Sequence, residues 1–100
     1  MSAIQTGKLQ LNSTRPVATT GGDTSTFTQV TFPAPFPAGS TVIVTPFVQT
    51  FNGPDTPGLR IADVTPTGFK IRINELHASG KVTADGTHTE ETVGWIAATV

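Results

Sequence analysis

The sequence predicts an all-β protein, with six or seven short antiparallel strands folded into a sandwich or barrel. Three observations carry that prediction. Glycine supplies 10 residues and proline 8, and about a fifth of the chain is threonine, well above ordinary usage. All three are poor helix formers, whereas Thr, Val, Ile and Phe suit a pleated surface. Apolar residues also recur with the period of two that puts alternate side chains on one face. Turn-forming clusters interrupt the chain at short intervals. At 100 residues and 10.4 kDa the chain is read as one domain, since such a core rarely divides below roughly 150 residues. An apolar content of 36% with a formal charge of −1 is enough for collapse, so disorder is not expected.

The elements follow in order. Ile4 to Leu11 reads as a half-buried strand, Leu9 standing between Lys8 and Gln10. Asn12 to Ser25 is rich in Thr, Gly and Ser and contains Pro16, which predicts a long loop. Phe27 to Phe32 is strand-like, and Pro33, Pro35 and Pro37 bar the next stretch from a central strand, because proline donates no ladder hydrogen bond. Ser40 to Thr50 contains the β-branched run Thr41-Val42-Ile43-Val44-Thr45, and its Pro46 calls for a sheet edge or a bulge. Asn52 to Gly58 is a loop by its Gly, Pro and Asp content. Leu59 to Val64 is a short strand, and Thr65-Pro66-Thr67-Gly68 has the form of a tight turn. Phe69, Ile71 and Ile73 then alternate with Lys70, Arg72 and Asn74, the cleanest period-two pattern in the chain. Ala78 to Glu91 is polar, a loop or ragged hairpin, and Thr92 to Val100 closes the chain with a last strand.

Several function classes are disfavoured at this stage. Near-zero net charge removes the basic footprint that phosphate-backbone binders need, so nucleic acid is not an expected partner. Without cysteine there are no disulfides, thiolate metal sites or thiol nucleophiles. That fits a cytosolically assembled or phage-type product better than a disulfide-stapled secreted module. The start, MSAIQTGKLQLNSTRP, lacks a basic n-region followed by an apolar h-region, so no signal peptide is expected. A virion-associated location, or export without such a signal, is compatible with this. Apolar stretches fall far short of the roughly 20 residues of a membrane helix, and membrane insertion is not expected.

Chemistry-bearing residues are few. His77 and His88 are the only histidines, and neither sits near a G-x-S-x-G or comparable nucleophile context. Glu90 and Glu91 point to opposite faces of any strand, which makes a poor acid/base pair. An enzyme is therefore not expected. Asp85, His88, Glu90 and Glu91 lie close in sequence but match no metal-ligand template, so the expected reading is a solvated loop, with no metal and no cofactor. Trp95, between Val93-Gly94 and Ile96-Ala97, is expected in the core rather than as a ligand platform. Arg72 is expected to face solvent. Arg60 borders the Pro/Gly-rich loop, where binding groups tend to be mounted, and stays a candidate.

A set of short motifs carries a family resemblance. In order they are Gln5-Thr6-Gly7-Lys8-Leu9, Phe32-Pro33-Ala34-Pro35-Phe36, Val42-Ile43-Val44, Gly58-Leu59-Arg60-Ile61, Val64-Thr65-Pro66-Thr67-Gly68-Phe69 and Val93-Gly94-Trp95-Ile96-Ala97. Their order and spacing, from about Gln5 to Thr99, resemble the H-type lectins, the family of the snail agglutinin and the C-terminal domain of the discoidins. The resemblance implies a six-stranded antiparallel β-sandwich, assembled as a homotrimer or a dimer of trimers. It also implies glycan partners: N-acetylgalactosamine, galactose or related sugars bound near protomer boundaries. Residue by residue, Asp23 with Gly22 beside it matches the family's loop acid, Arg60 its fourth-strand arginine and His77 its histidine. Leu76 departs from the pattern, since family members carry an aromatic there. The 78–92 stretch is also longer than the family's.

Two functions follow as expectations. The first is a carbohydrate-binding module, multivalent through trimerisation, with Asp23 and Arg60 holding hydroxyls and His77 orienting the sugar. The second is a structural or receptor-binding trimeric module of a phage tail or fibre, with the same sandwich and no lectin activity.

Overall fold

Seven strand segments make up the fold in the computed structural model. It describes residues 3–14, 21–54, 56–78, 82–85 and 87–100, with only the backbone of residues 75–78 and 82–85 considered. The strands are β1 (Ile4–Thr14), β2 (Thr28–Thr31), β3 (Val42–Val48), β4 (Thr56–Thr65), β5 (Gly68–Ala78), β6 (Val82–Asp85) and β7 (Thr87–Thr99). One sheet runs β1-β7-β3 and the other β2-β5-β4, with the four-residue β6 paired to the far end of β5. Every pairing is antiparallel. The chain is therefore all-β and sandwich-like, six main strands in two sheets with one short addition. Among the described residues no helix is long and apolar enough to cross a membrane.

Alternation builds the core. Phe69, Ile71 and Ile73 of β5 and Val93, Trp95 and Ala97 of β7 are all buried, each set on one face of its sheet. Leu59 and Ile61 pair with Ile73 and Ile71 and join the core as partly buried neighbours. Phe32 and Phe36, from the proline-rich segment after β2, close one side. Phe32 sits 5.1 Å from Phe36, 5.8 Å from Phe69 and 5.5 Å from Trp95, ring centroid to centroid. Tilted and edge-on rings at these separations are favourable aromatic geometries. The backbone N–H of Phe32 donates to Thr67 O and that of Phe36 to Pro66 O, so the 65–68 turn anchors the proline-rich segment.

The expectation for Pro46 holds: it lies in β3, at a sheet edge, where a missing donor costs no ladder bond. Pro57, expected in the 52–58 loop, lies in β4, also at an edge. Strand limits shift in four places. β1 runs on through a bulge between Leu11 and Ser13 to Thr14, shortening the expected loop. β4 begins at Thr56, inside the expected 52–58 loop, because Thr56-Pro57-Gly58 continues the ladder to Leu76-Glu75-Asn74. β2 and β3 are each shorter than expected, at 4 and 7 residues. Of the described residues in the 78–91 stretch, Val82–Asp85 form β6, antiparallel to the end of β5, and 87–91 begin β7, so the hairpin reading is the better one.

Arg72 is the main correction. Expected to face solvent, it is 4% exposed, and Asn74 beside it is 1% exposed. β5 is thus buried on both faces along this stretch. An Nη1–H of Arg72 donates to Thr26 Oγ1, so the segment ahead of β2 is tied down over the outer face of the second sheet. Period-two alternation identifies a face; it does not reveal whether a loop covers it.

Candidate functional site

The tether at Arg72 is what builds the site. It holds residues 21–27 against β4 and β5, and a hollow of about 270 Å³ opens between this segment and β4. Gly21, Gly22, Asp23, Thr24 and Phe27 form one wall; Arg60, Ile61, Ala62 and Asp63 form the other. Three of the four residues expected to bind sugar, Gly22, Asp23 and Arg60, therefore line one hollow.

Local backbone chemistry shapes each wall. Gly22 has φ of +85°, a left-handed conformation that side chains strain to adopt. No neighbouring atom crowds it, so its glycine is a matter of backbone conformation. Asp23 Oδ1 accepts the N–H of Ser25 at 3.0 Å, the turn that Asp characteristically makes with its own backbone. Backbone and side-chain hydrogen bonds from Ser25 hold the Asp23 carboxyl below its ordinary value. It is therefore ionised at neutral pH. Phe27 N–H donates to Thr24 O at 3.1 Å, which closes the segment before β2 starts.

On the opposite wall, Arg60 pairs with Arg72 across the β4–β5 ladder. Directly opposed like charges are unfavourable, and the two diverge: Arg72 is buried under Thr26, whereas Arg60 is exposed. The register breaks after Ala62, and Asp63 adopts φ of +50° there. Asp63 makes a 3.3 Å ion pair with Lys70. Both ends are open to solvent, so the pair adds at most about 1 kcal/mol to stability. A carboxylate, a guanidinium and a second carboxylate beside an aromatic ring can accept and donate hydrogen bonds to a polyol while offering it one apolar wall.

The backbone of His77 lies in β5 opposite Thr83. It is five residues beyond Arg72, the cross-strand partner of Arg60, or roughly 17 Å along the strand. It belongs to a different end of the sheet. Its side chain, those of Leu76 and Asp85, and the 79–81 stretch lie outside the described residues.

Two residues read as a solvated loop are buried instead. His88 is 4% exposed and Glu91 1%. Their side chains meet at 2.9 Å, His88 Nε2 to Glu91 Oε2. Glu91 Oε1 accepts Thr50 Oγ1–H at 2.7 Å and Asn52 N–H at 3.0 Å. This carboxylate joins the loop after β3 to the start of β7. The bond from His88 is the foremost cause holding Glu91 below its ordinary value, with those from Thr50, Asn52 and Gly53 acting alongside against the opposing effect of burial. Glu90, pointing the other way, is exposed, as the alternation requires. Among the described residues no three His, Asp or Glu side chains group to hold a metal.

Sequence reasoning missed Phe27 and Asp63. Period two places Phe27 in the following strand, and a left-handed aspartate has no signature of its own. The signal that would have found Phe27 is an aromatic four residues after Gly-Gly-Asp with no alternating apolar partner before it. In comparisons with known proteins, no family model and no curated protein matches this chain.

Proposed function

We propose that the chain is a carbohydrate-binding module of H-type lectin architecture, working multivalently as a homotrimer on galactose, N-acetylgalactosamine or other cell-surface glycans. The observation that carries this reading is the meeting of Gly22, Asp23 and Arg60 in one hollow. They come from two segments nearly forty residues apart, and the resemblance had singled out all three. An ionised carboxylate accepts two vicinal hydroxyls, and a guanidinium donates in a fixed fork. Single shallow sites bind weakly, and several on one assembly raise avidity without new contacts.

Binding of galactose and N-acetylgalactosamine, on a glycan array and by titration calorimetry, tests the reading. Asp23→Ala removes two charge-assisted hydrogen bonds and is expected to weaken binding by at least roughly a hundred-fold. An array without hits would sink the reading.

Self-association, which the trimer requires, is supported by the outer face of the first sheet. There Ile4 and Ile43 both pair with Ala98, Ile96 lies between Thr6 and Thr45, and Phe47 pairs with Gly94. Ile4, Ile43, Phe47 and Ile96 are 69%, 57%, 51% and 44% exposed, a contiguous apolar patch of the kind that marks an interface. The proposed occupant is a second copy of the chain, since a flat apolar face with few charges meets its own copies without repulsion. Sedimentation is expected to show a trimer, and Ile96→Lys, on the central strand, a monomer. A monomeric wild type would overturn the assembly.

The second reading, a trimeric phage tail or fibre module without lectin activity, is favoured by one observation. His77 stands roughly 17 Å along β5 from the Arg60 row, so one protomer does not gather the full set. It predicts the same trimer and a glycan array without hits.

A further inference from the structure

We infer that Phe27 is the apolar platform of the proposed sugar site, the ring against which the C–H face of a single pyranose lies. The inference rests on the carbohydrate-binding reading and adds what that reading lacked, because Leu76 stands where an aromatic would have served. The ring is half-buried and lines the same hollow as Asp23 and Arg60. Among the described residues it stands apart from the packed core. The partly buried residues packed on the core are Leu9, Val30, Val42, Val44, Val48, Leu59 and Ile61, and Phe27 is not among them. The close ring pairs of the described residues join Phe32, Phe36, Phe69 and Trp95, again without Phe27.

An aromatic side chain half in water and outside the core has given up part of its burial energy. Here it is also held in place. Phe27 N–H bonds Thr24 O, and the neighbouring Thr26 hydroxyl accepts from buried Arg72. A ring carried on a fixed backbone segment loses less entropy when a ligand docks on it than one on a mobile loop. The hollow, at about 270 Å³, is at the low end for ligand sites. That size suits one sugar ring rather than an extended chain. The sugar's hydroxyls meet Asp23 and Arg60, and its C–H face meets Phe27.

The test titrates free galactose, N-acetylgalactosamine, glucose and mannose into wild type, Asp23→Ala, Phe27→Ala and Phe27→Trp. Saturation-transfer NMR identifies the sugar face in contact, and thermal unfolding checks each variant's fold. Phe27→Ala is expected to weaken binding on the order of ten-fold and to erase saturation transfer to the C–H face, with melting little changed. Phe27→Trp is expected to retain binding and to change its emission as sugar is added. If wild type binds, Asp23→Ala abolishes binding and Phe27→Ala leaves it intact, the platform is overturned and the sugar site stands. If no sugar binds wild type, both fall.

Discussion

Glu91→Ala is expected to lower the melting temperature by on the order of 15 °C, the shift that about 3 kcal/mol produces in a domain of this size. The carboxylate is 1% exposed and accepts from Thr50, Asn52 and His88. Alanine would strand the buried His88 ring and take the shared acceptor from Thr50 and Asn52, both exposed residues. The stranded buried partner costs about 1–3 kcal/mol, and the two outer donors, which water can partly satisfy, add less. Surface carboxylates offer a contrast: Glu90, one residue away and exposed, should change stability by no more than about 0.5 kcal/mol when replaced by alanine. Urea unfolding of the two variants decides the point, and equal midpoints would overturn the role given to Glu91.

The same carboxylate sets an acid limit. Its folded value is lowered, so its stabilisation is fully present above the unfolded glutamate value, roughly 4.3. It is lost as pH falls from there through the lower folded value. Glu91→Gln keeps the shape and removes the titration, so the fall in wild-type stability below about pH 4.3 should be shallower in this variant.

How far the sequence could be read depended on the range of the signal. The Phe69-Ile71-Ile73 alternation, the edge placement of Pro46 and the burial of Trp95 all follow from a few neighbouring residues. Arg72 and Glu91 do not. Arg72 is buried because a segment more than forty residues earlier lies over it, and Glu91 because Thr50 and Asn52 return to it from a loop. In local pattern each is an ordinary charged residue, Arg72 on the polar side of an alternating strand and Glu91 in a polar run. The hollow divides the same way. Asp23 with Gly22 and Arg60 stood out only through the motif resemblance, since nothing within either segment refers to the other. Alternation alone puts Phe27 in a strand, because period two takes no account of where a ladder starts. Asp63 depends on a bulge, and the residues around it form no turn signature.

Trp95→Ala is expected to be the most destabilising substitution in the chain, at about 3–5 kcal/mol. The indole is 4% exposed and belongs to β7, the central strand of the first sheet. Its ring lies 5.5 Å from Phe69 of the second sheet and 5.5 Å from Phe32, so it bridges both layers and the proline-rich segment. The third contact is with the backbone of β1. Gly7 pairs with Trp95, and a Cβ added at Gly7 would sit 2.6 Å from indole Cε2 and 2.9 Å from Nε1. Only hydrogen fits. The two sides of this contact can be perturbed in opposite senses: Trp95→Ala empties the space and Gly7→Ala overfills it. Overpacking costs about 1–3 kcal/mol, so Gly7→Ala should fall between wild type and Trp95→Ala in urea midpoint. The double variant is the sharper measurement. With the indole gone, the alanine methyl at position 7 occupies part of the void, so the two penalties should fail to add by at least about 1 kcal/mol. Strict additivity would mean that Gly7 and Trp95 do not share the contact on which the centre of this sandwich is built. In an assembly the midpoints also depend on protein concentration, and all four proteins must be compared at the same one.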